Sequence, residues 1–182
     1  MNWLPDGSAL INERDSLKLF KVTPSGSRSE VAAEPRIAAP GSGETLLVAR
    51  MTFGGSRPTG YTPLVTGIKA GLHNGGRLRF GPDGHLHATT GDPDDPDSAQ
   101  DRNSLNGKIL RLTKEGKPAP GNPFGSLVHS YGHRNPEGLA WDDRGRLWET
   151  EIGEDTHDEL NLVSPERTTA GRPARATVPR PA

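Results

Sequence analysis

The chain has 182 residues, a one-domain length, and its 22 basic and 23 acidic side chains leave a net charge of −1. Its 23 glycines and 17 prolines interrupt the backbone too often for long helices, which excludes a helical bundle and describes a turn-rich β protein. The charge balance offers no field for nucleic acid or an anionic membrane, and the lack of cysteine excludes disulfides, thiolate nucleophiles and cysteine-held metal centres.

From the N-terminus, Met1-Asn2-Trp3-Leu4-Pro5-Asp6-Gly7 has neither a basic start nor an apolar stretch, so no secretory signal is expected in this chain. Leu4-Pro5-Asp6-Gly7-Ser8-Ala9-Leu10 is the first copy of a turn-and-strand pattern. It returns as Phe80-Gly81-Pro82-Asp83-Gly84-His85-Leu86 and, more loosely, as Trp141-Asp142-Asp143-Arg144-Gly145-Arg146-Leu147. In each, a glycine stands where a tight hairpin requires positive φ. A second pattern follows each copy: Leu19–Gly26, then Lys108–Gly116, then Glu159–Pro165, each alternating apolar and polar residues before a turn, as half-buried strands do. Leu46-Leu47-Val48-Ala49 is the longest clean apolar run, a short strand at most and far below the ~18 residues of a membrane helix. Hairpins are expected over Trp3–Val22, Leu78–Leu112 and Leu139–Val163. Recurring hairpin halves of this kind form propeller blades, with material here for about three. Positions 1–163 are therefore assigned to a partial β-propeller. Positions 164–182 are assigned to a disordered tail, because Arg167 to Ala182 is rich in arginine and proline and carries a single valine.

Two loops carry residues suited to chemistry. Gly71-Leu72-His73-Asn74-Gly75-Gly76 puts an imidazole on a glycine-rich turn just before a strand, where it can serve as a general base. Ser130-Tyr131-Gly132-His133-Arg134-Asn135-Pro136 packs imidazole, guanidinium and carboxamide together. The guanidinium fork suits carboxylate or quinone oxygens. Weaker signals accompany them. His85 and His87 place two imidazoles on one strand face without a third ligand at useful spacing, and Asp92, Asp94, Asp95 and Asp97 read as a solvated turn. His129 and His157 have no partner that the sequence names.

His73-Asn74-Gly75-Gly76-Arg77-Leu78, Phe80–Gly84, Thr90-Gly91-Asp92, Ala99-Gln100-Asp101, Ser104–Leu112, Asn122-Pro123-Phe124, Ser130–Leu139 and Asp158-Glu159-Leu160-Asn161 occur in that order. Together they resemble the soluble pyrroloquinoline quinone-dependent aldose sugar dehydrogenases, the glucose/sorbosone dehydrogenase family. The resemblance is strong from about Gly71 to Val163 and fainter from Trp3 to Gly26.

What the resemblance implies is an all-β chain, a β-propeller of the six-bladed sugar dehydrogenase type that is incomplete here. It further implies oxidation of an aldose at its anomeric carbon by hydride transfer to the quinone, and an external electron acceptor. His73 falls on the family's base, Arg134 and Asn135 on residues that hold the quinone, and Gly153 and Glu154 on backbone carbonyls that bind calcium. Glu154 departs from the Gly-Pro that many members carry there. A blade's worth of chain that members have near Pro40 to Ser42 is missing, and after Val163 the family continues where this chain has its Arg/Pro/Ala tail. Those departures imply that the chain alone is inactive or nearly so, and that open propeller edges favour self-association. Members are typically periplasmic or secreted. A non-catalytic propeller serving as a binding module is the alternative, since the same fold hosts non-enzymes.

Overall fold

The computed structural model describes residues 2–3, 9–12, 19–31, 45–53, 58–154 and 157–165. The Asp6-Gly7 turn and almost all of the proposed tail lie outside these residues. The chain divides into two compact units, 1–66 and 67–182.

In the first unit, β1 (Asn2–Trp3), β2 (Ala9–Asn12), β3 (Leu19–Val22) and β4 (Arg28–Val31) form an antiparallel four-stranded meander in chain order. The fold also contains a strand pair that the sequence reading did not foresee: β5 (Thr45–Phe53) pairs with β6 (Pro58–Lys69), which runs across the boundary between the units. The apolar run at Leu46–Ala49 is only the N-terminal half of the longer β5.

The second unit holds two sheets. β7 (Gly75–Phe80), β8 (Leu86–Thr90), β9 (Lys108–Leu112) and β10 (Val128–Tyr131) form one antiparallel meander, with a one-turn helix α1 (Pro96–Gln100) in the loop between β8 and β9. β11 (Pro136–Trp141), β12 (Leu147–Glu151) and β13 (Glu159–Leu162) form the other. Both hairpin turns are built on glycine: Gly84 at φ 76° between β7 and β8, and Gly145 at φ 72° between β11 and β12. The second repeated pattern lands on the third strand of each sheet, namely β3, β9 and β13. Up-and-down antiparallel sheets of this kind, two of four strands and one of three among the described residues, are propeller blades.

Ile109, Leu139, Leu147 and Val163 form a buried cluster with Trp141 packed against it, joining β9 to the second sheet. The inner strands β7 and β11 are also tied directly. Arg77 Nε donates to the Glu137 carbonyl and Arg79 Nη1 to the Leu139 carbonyl, each at 2.9 Å. β13 departs from its expected phase. Leu160 and Leu162 are exposed, while Asn161 turns toward β12 because its Nδ2 donates to Glu149 Oε1 at 2.8 Å.

Candidate functional site

The strand directions gather one set of loops at one end of the two sheets. His73 precedes β7, Asp92 follows β8, Arg134 and Asn135 precede β11, and Gly153 follows β12. The glycine hairpin turns occupy the opposite end.

His73 is buried, and its Nδ1 lies 2.6 Å from Asp92 Oδ1. A carboxylate against Nδ1 keeps the proton there, so Nε2 carries the free lone pair that a general base uses. Asp92 is buried as well, and its Oδ1 also accepts the Asp94 backbone N–H at 2.9 Å. The acidic run was expected to be a solvated turn. For Asp92 the structure corrects this: only the later aspartates, Asp94, Asp95 and Asp97, face solvent. The two loops meet so closely that a Cβ at Gly91 would strike the His73 carbonyl.

Arg134 and Asn135 are stitched to the same pair. The Asp92 N–H donates to the Arg134 carbonyl at 2.9 Å, and the Gly75 N–H donates to Asn135 Oδ1 at 3.1 Å. With Oδ1 engaged, the Nδ2 amide is the part of Asn135 left to meet a ligand. His73, Asp92, Arg134 and Asn135 thus belong to one hydrogen-bonded network drawn from two blades. Beneath it, Lys108 Nζ donates to the carbonyls of Ser98 and Ala99, each at 2.9 Å, and of Asn106, which anchors the loop that delivers Asp92.

Arg134 also reaches β12's end, where its Nη1 donates to the Ile152 and Gly153 carbonyls, each at 3.1 Å. Backbone carbonyl oxygens are the kind of donor that calcium uses, and here those of Ile152 and Gly153 converge on the guanidinium. A Cβ at Gly153 would run into the His157 carbonyl, so the turn is closed too tightly for a side chain there. Glu154 is exposed beside it. For an ion to take Gly153's carbonyl, the Arg134 guanidinium must first leave it.

Three further groups meet beside this loop: His133, read from the sequence together with Arg134 and Asn135, and two glutamates, Glu149 and Glu151, that the sequence reading passed over. His133 is fully buried, with Nε2 2.8 Å from Ser130 Oγ and Nδ1 3.3 Å from Glu151 Oε2 and 3.6 Å from Glu149 Oε1. Burial opposes the imidazolium, but the hydrogen bonds and charges of the two glutamates outweigh it and hold His133 up to about 9. Burial also pushes Glu149 up, against the pull of His133. For Glu151 the same burial is overcome by His133 and by the N–H groups of Arg134 and Asn135, so its carboxyl lies below its usual range. Among the described residues these are the one His/carboxylate group with ligand atoms close enough to share a metal ion. His133 and the N–H groups of Arg134 and Asn135 occupy Glu151, whereas Glu149 Oε2 is buried without a hydrogen-bond partner. The signal for them was the phase of β12, where Glu149 and Glu151 fall on the buried face with Leu147.

The His85/His87 pair does not assemble. His85 faces Asp83 and Arg111, whereas His87 packs edge-on against Trp141 and His129 at centroid distances of 5.0 and 5.6 Å.

The Glucose/Sorbosone dehydrogenase family profile matches residues 59–168. The aldose sugar dehydrogenase of Streptomyces coelicolor, solved in its PQQ-bound form, is 40% identical with a TM-score of 0.83, over 91% of this chain and 59% of that one. A glucose dehydrogenase-type oxidoreductase of Thermus thermophilus is 38% identical with a TM-score of 0.81, over 92% of this chain and 62% of its own. Quinoprotein glucose dehydrogenase B of Acinetobacter calcoaceticus is 28% identical over 88% of this chain and 47% of its own length. The chain therefore spans about half of that curated relative and represents an incomplete propeller. The last alignment runs over 224 residues, longer than the 182-residue chain itself, so that relative carries internal segments which are missing here.

Proposed function

Because the chain belongs to the glucose/sorbosone dehydrogenase family, we propose that it derives from, and contributes part of the site of, a pyrroloquinoline quinone-dependent enzyme that oxidises an aldose at its anomeric carbon. The observation that carries this reading is the His73–Asp92 pair at 2.6 Å, held by hydrogen bonds to the loop of Arg134 and Asn135. A base of fixed tautomer beside a cation and an amide donor suits removal of a hydroxyl proton next to an electron-accepting ligand.

The residues divide the work as follows. His73 Nε2 takes the proton of the anomeric hydroxyl. Asp92 fixes the ring and stabilises the imidazolium that forms. Arg134 supplies positive charge where negative charge builds, and Asn135 Nδ2 donates a hydrogen bond to a ligand oxygen. The carbonyls of Gly153 and Glu154 would serve a calcium ion. The quinone, when bound, supplies the acceptor for the hydride. An external acceptor then reoxidises it.

Turnover by the 182 residues alone should be small. Calcium takes about six to eight oxygens, and two carbonyls leave most of that shell to other groups. A purified sample titrated with the quinone and calcium should show a change in quinone absorbance. In a dye-linked aldose assay, a version extended to the full ring should turn over sugar, and His73→Ala in that version should abolish turnover while quinone binding persists. Unchanged turnover in His73→Ala would refute the assignment. An absorbance that never changes would favour a binding module without redox chemistry.

A further inference from the structure

We propose that Glu151 is the positioning residue of this site: its carboxylate, presented by β12, fixes the backbone from which Arg134 and Asn135 reach a ligand. The inference rests on the quinone reading above for its functional consequence, but its geometry stands by itself. Glu151 Oε1 accepts two consecutive backbone N–H groups, that of Arg134 and that of Asn135, the latter at 2.9 Å. Its other oxygen receives His133 Nδ1–H at 3.3 Å. The Ile152 N–H, next along the chain, donates to the Asn135 carbonyl at 3.2 Å.

The reason for this arrangement lies in the register. Glu151 stands directly opposite Pro136, the first residue of β11, and the ladder is bulged between Pro136 and Gly138. Proline has no N–H to give to the ladder, and it pushes the residue before it out of helical conformations. The segment 133–135 thus enters the site ahead of the regular pairing, with N–H groups that strand bonding does not satisfy. A buried N–H without an acceptor is costly, and Glu151, only 5% exposed, supplies that acceptor from its side chain. Successive N–H groups aimed at one anion form a concavity that fixes the local backbone.

What is fixed here matters twice over. Arg134 and Asn135 project from these Cα atoms, and the same two residues hold the loops of Asp92 and His73 through the Arg134 carbonyl and Asn135 Oδ1. One carboxylate therefore sets both the ligand-holding pair and, through it, the base.

The test separates reach from charge. Glu151→Asp keeps the charge but withdraws the acceptor by one methylene, whereas Glu151→Gln keeps an acceptor oxygen at full reach and loses the charge. Amide hydrogen exchange on the full chain is the first readout and needs no ligand. The Arg134 and Asn135 amides should exchange about tenfold faster in Glu151→Asp, as for loss of one charge-assisted hydrogen bond, with the amides of β8 and β9 unchanged. In Glu151→Gln they should stay within about threefold of wild type, since the acceptor is retained. Quinone titration in calcium chloride is the second readout, and its affinities should follow the same order. The proposal is overturned if Glu151→Asp protects both amides as wild type does, or if Glu151→Gln is the variant that loosens them. If wild type takes up no quinone while the exchange pattern holds, positioning of the 134–135 backbone stands and the quinone reading falls.

Discussion

Acid should destabilise this protein through a buried histidine, over a range that begins near pH 6.5. His129 is largely buried, and its Nδ1 has no hydrogen-bond partner. Burial, then the charges of His87 and Arg111, push it down to about 4, with Asp83 opposing. The folded-state pKa is thus depressed below the ordinary 6.5 of a histidine, so between those values the unfolded chain binds the extra proton. The stability that this group contributes is present above pH 6.5 and is lost as pH falls toward about 4. A shift of that size corresponds to about 3 kcal/mol, most of it gone by pH 4.5. Burial depresses His87 in the same direction. Asp83, held down at about 2 by the His85 N–H and Arg111 despite its burial, contributes acid sensitivity only below this range. Urea unfolding at pH 7.5 and 4.5, on wild type and His129→Gln, isolates the effect. With a urea slope of roughly 2 kcal/mol per molar, the wild-type midpoint should drop by about 1 M more than that of the variant. Equal drops in the two proteins would refute the argument, because every other titrating group is common to both.

Three further outcomes follow from the same geometry. Gly91→Ala should cost about 1–3 kcal/mol, because its Cβ meets the His73 carbonyl; thermal melting checks the cost, and loss of the Nδ1-bound proton signal of His73 checks the displacement. Lys108→Met should destabilise by about 2 kcal/mol through the carbonyls of Ser98, Ala99 and Asn106, with chemical denaturation as the measure. Asp92→Asn should release the His73 ring into a mixture of tautomers, visible in its ¹⁵N shifts, and a single unchanged tautomer would show that Asp92 does not select it.

How much of this could be read from residues alone depended on how local the cause was. The hairpins were legible because Asp83-Gly84 and Arg144-Gly145 carry their turn geometry in the dipeptide, whereas β9, read as a half-buried strand, is buried on both faces, with Lys108, Ile109, Leu110 and Leu112 all inside. His73, Arg134 and Asn135 stood out as a set within an ordered string of motifs. Asp92 stood in the same string, but its pairing with His73 was not legible, because a partner 19 residues away leaves no periodic trace and four aspartates among prolines look like solvated loop. β5 was read only as the short apolar run Leu46–Ala49, because Arg50 and Thr52 interrupt it, and β6 was missed because polar residues and glycines break its pattern. β13 was assigned to the right residues in the wrong phase. Leucines at positions 160 and 162 suggest an inward face, but the buried Glu149 takes Asn161 as its partner, and that polar pair sets the register.

The buried glutamates bear on what the missing part of the ring could and could not supply. A quinone site that depended on the whole ring for its shape would leave His73, Arg134 and Asn135 unconstrained in a partial propeller. Here, among the described residues, the hydrogen bonds that hold them come from within residues 71–153: Asp92 on the ring nitrogen, Gly75 on the amide oxygen and Glu151 on the two backbone N–H groups. On the proposed quinone reading, further blades would add affinity, other ligands and exclusion of water, while His73 and its neighbours are set before they arrive. The two contributions are separable by experiment. A chain that shows the His73 tautomer and the protected Arg134 and Asn135 amides, yet holds the quinone weakly, has a formed half-site that lacks its complement. If those amides were unprotected until quinone and calcium were added, the site would instead be assembled by its ligand, and the argument from internal constraint would fail.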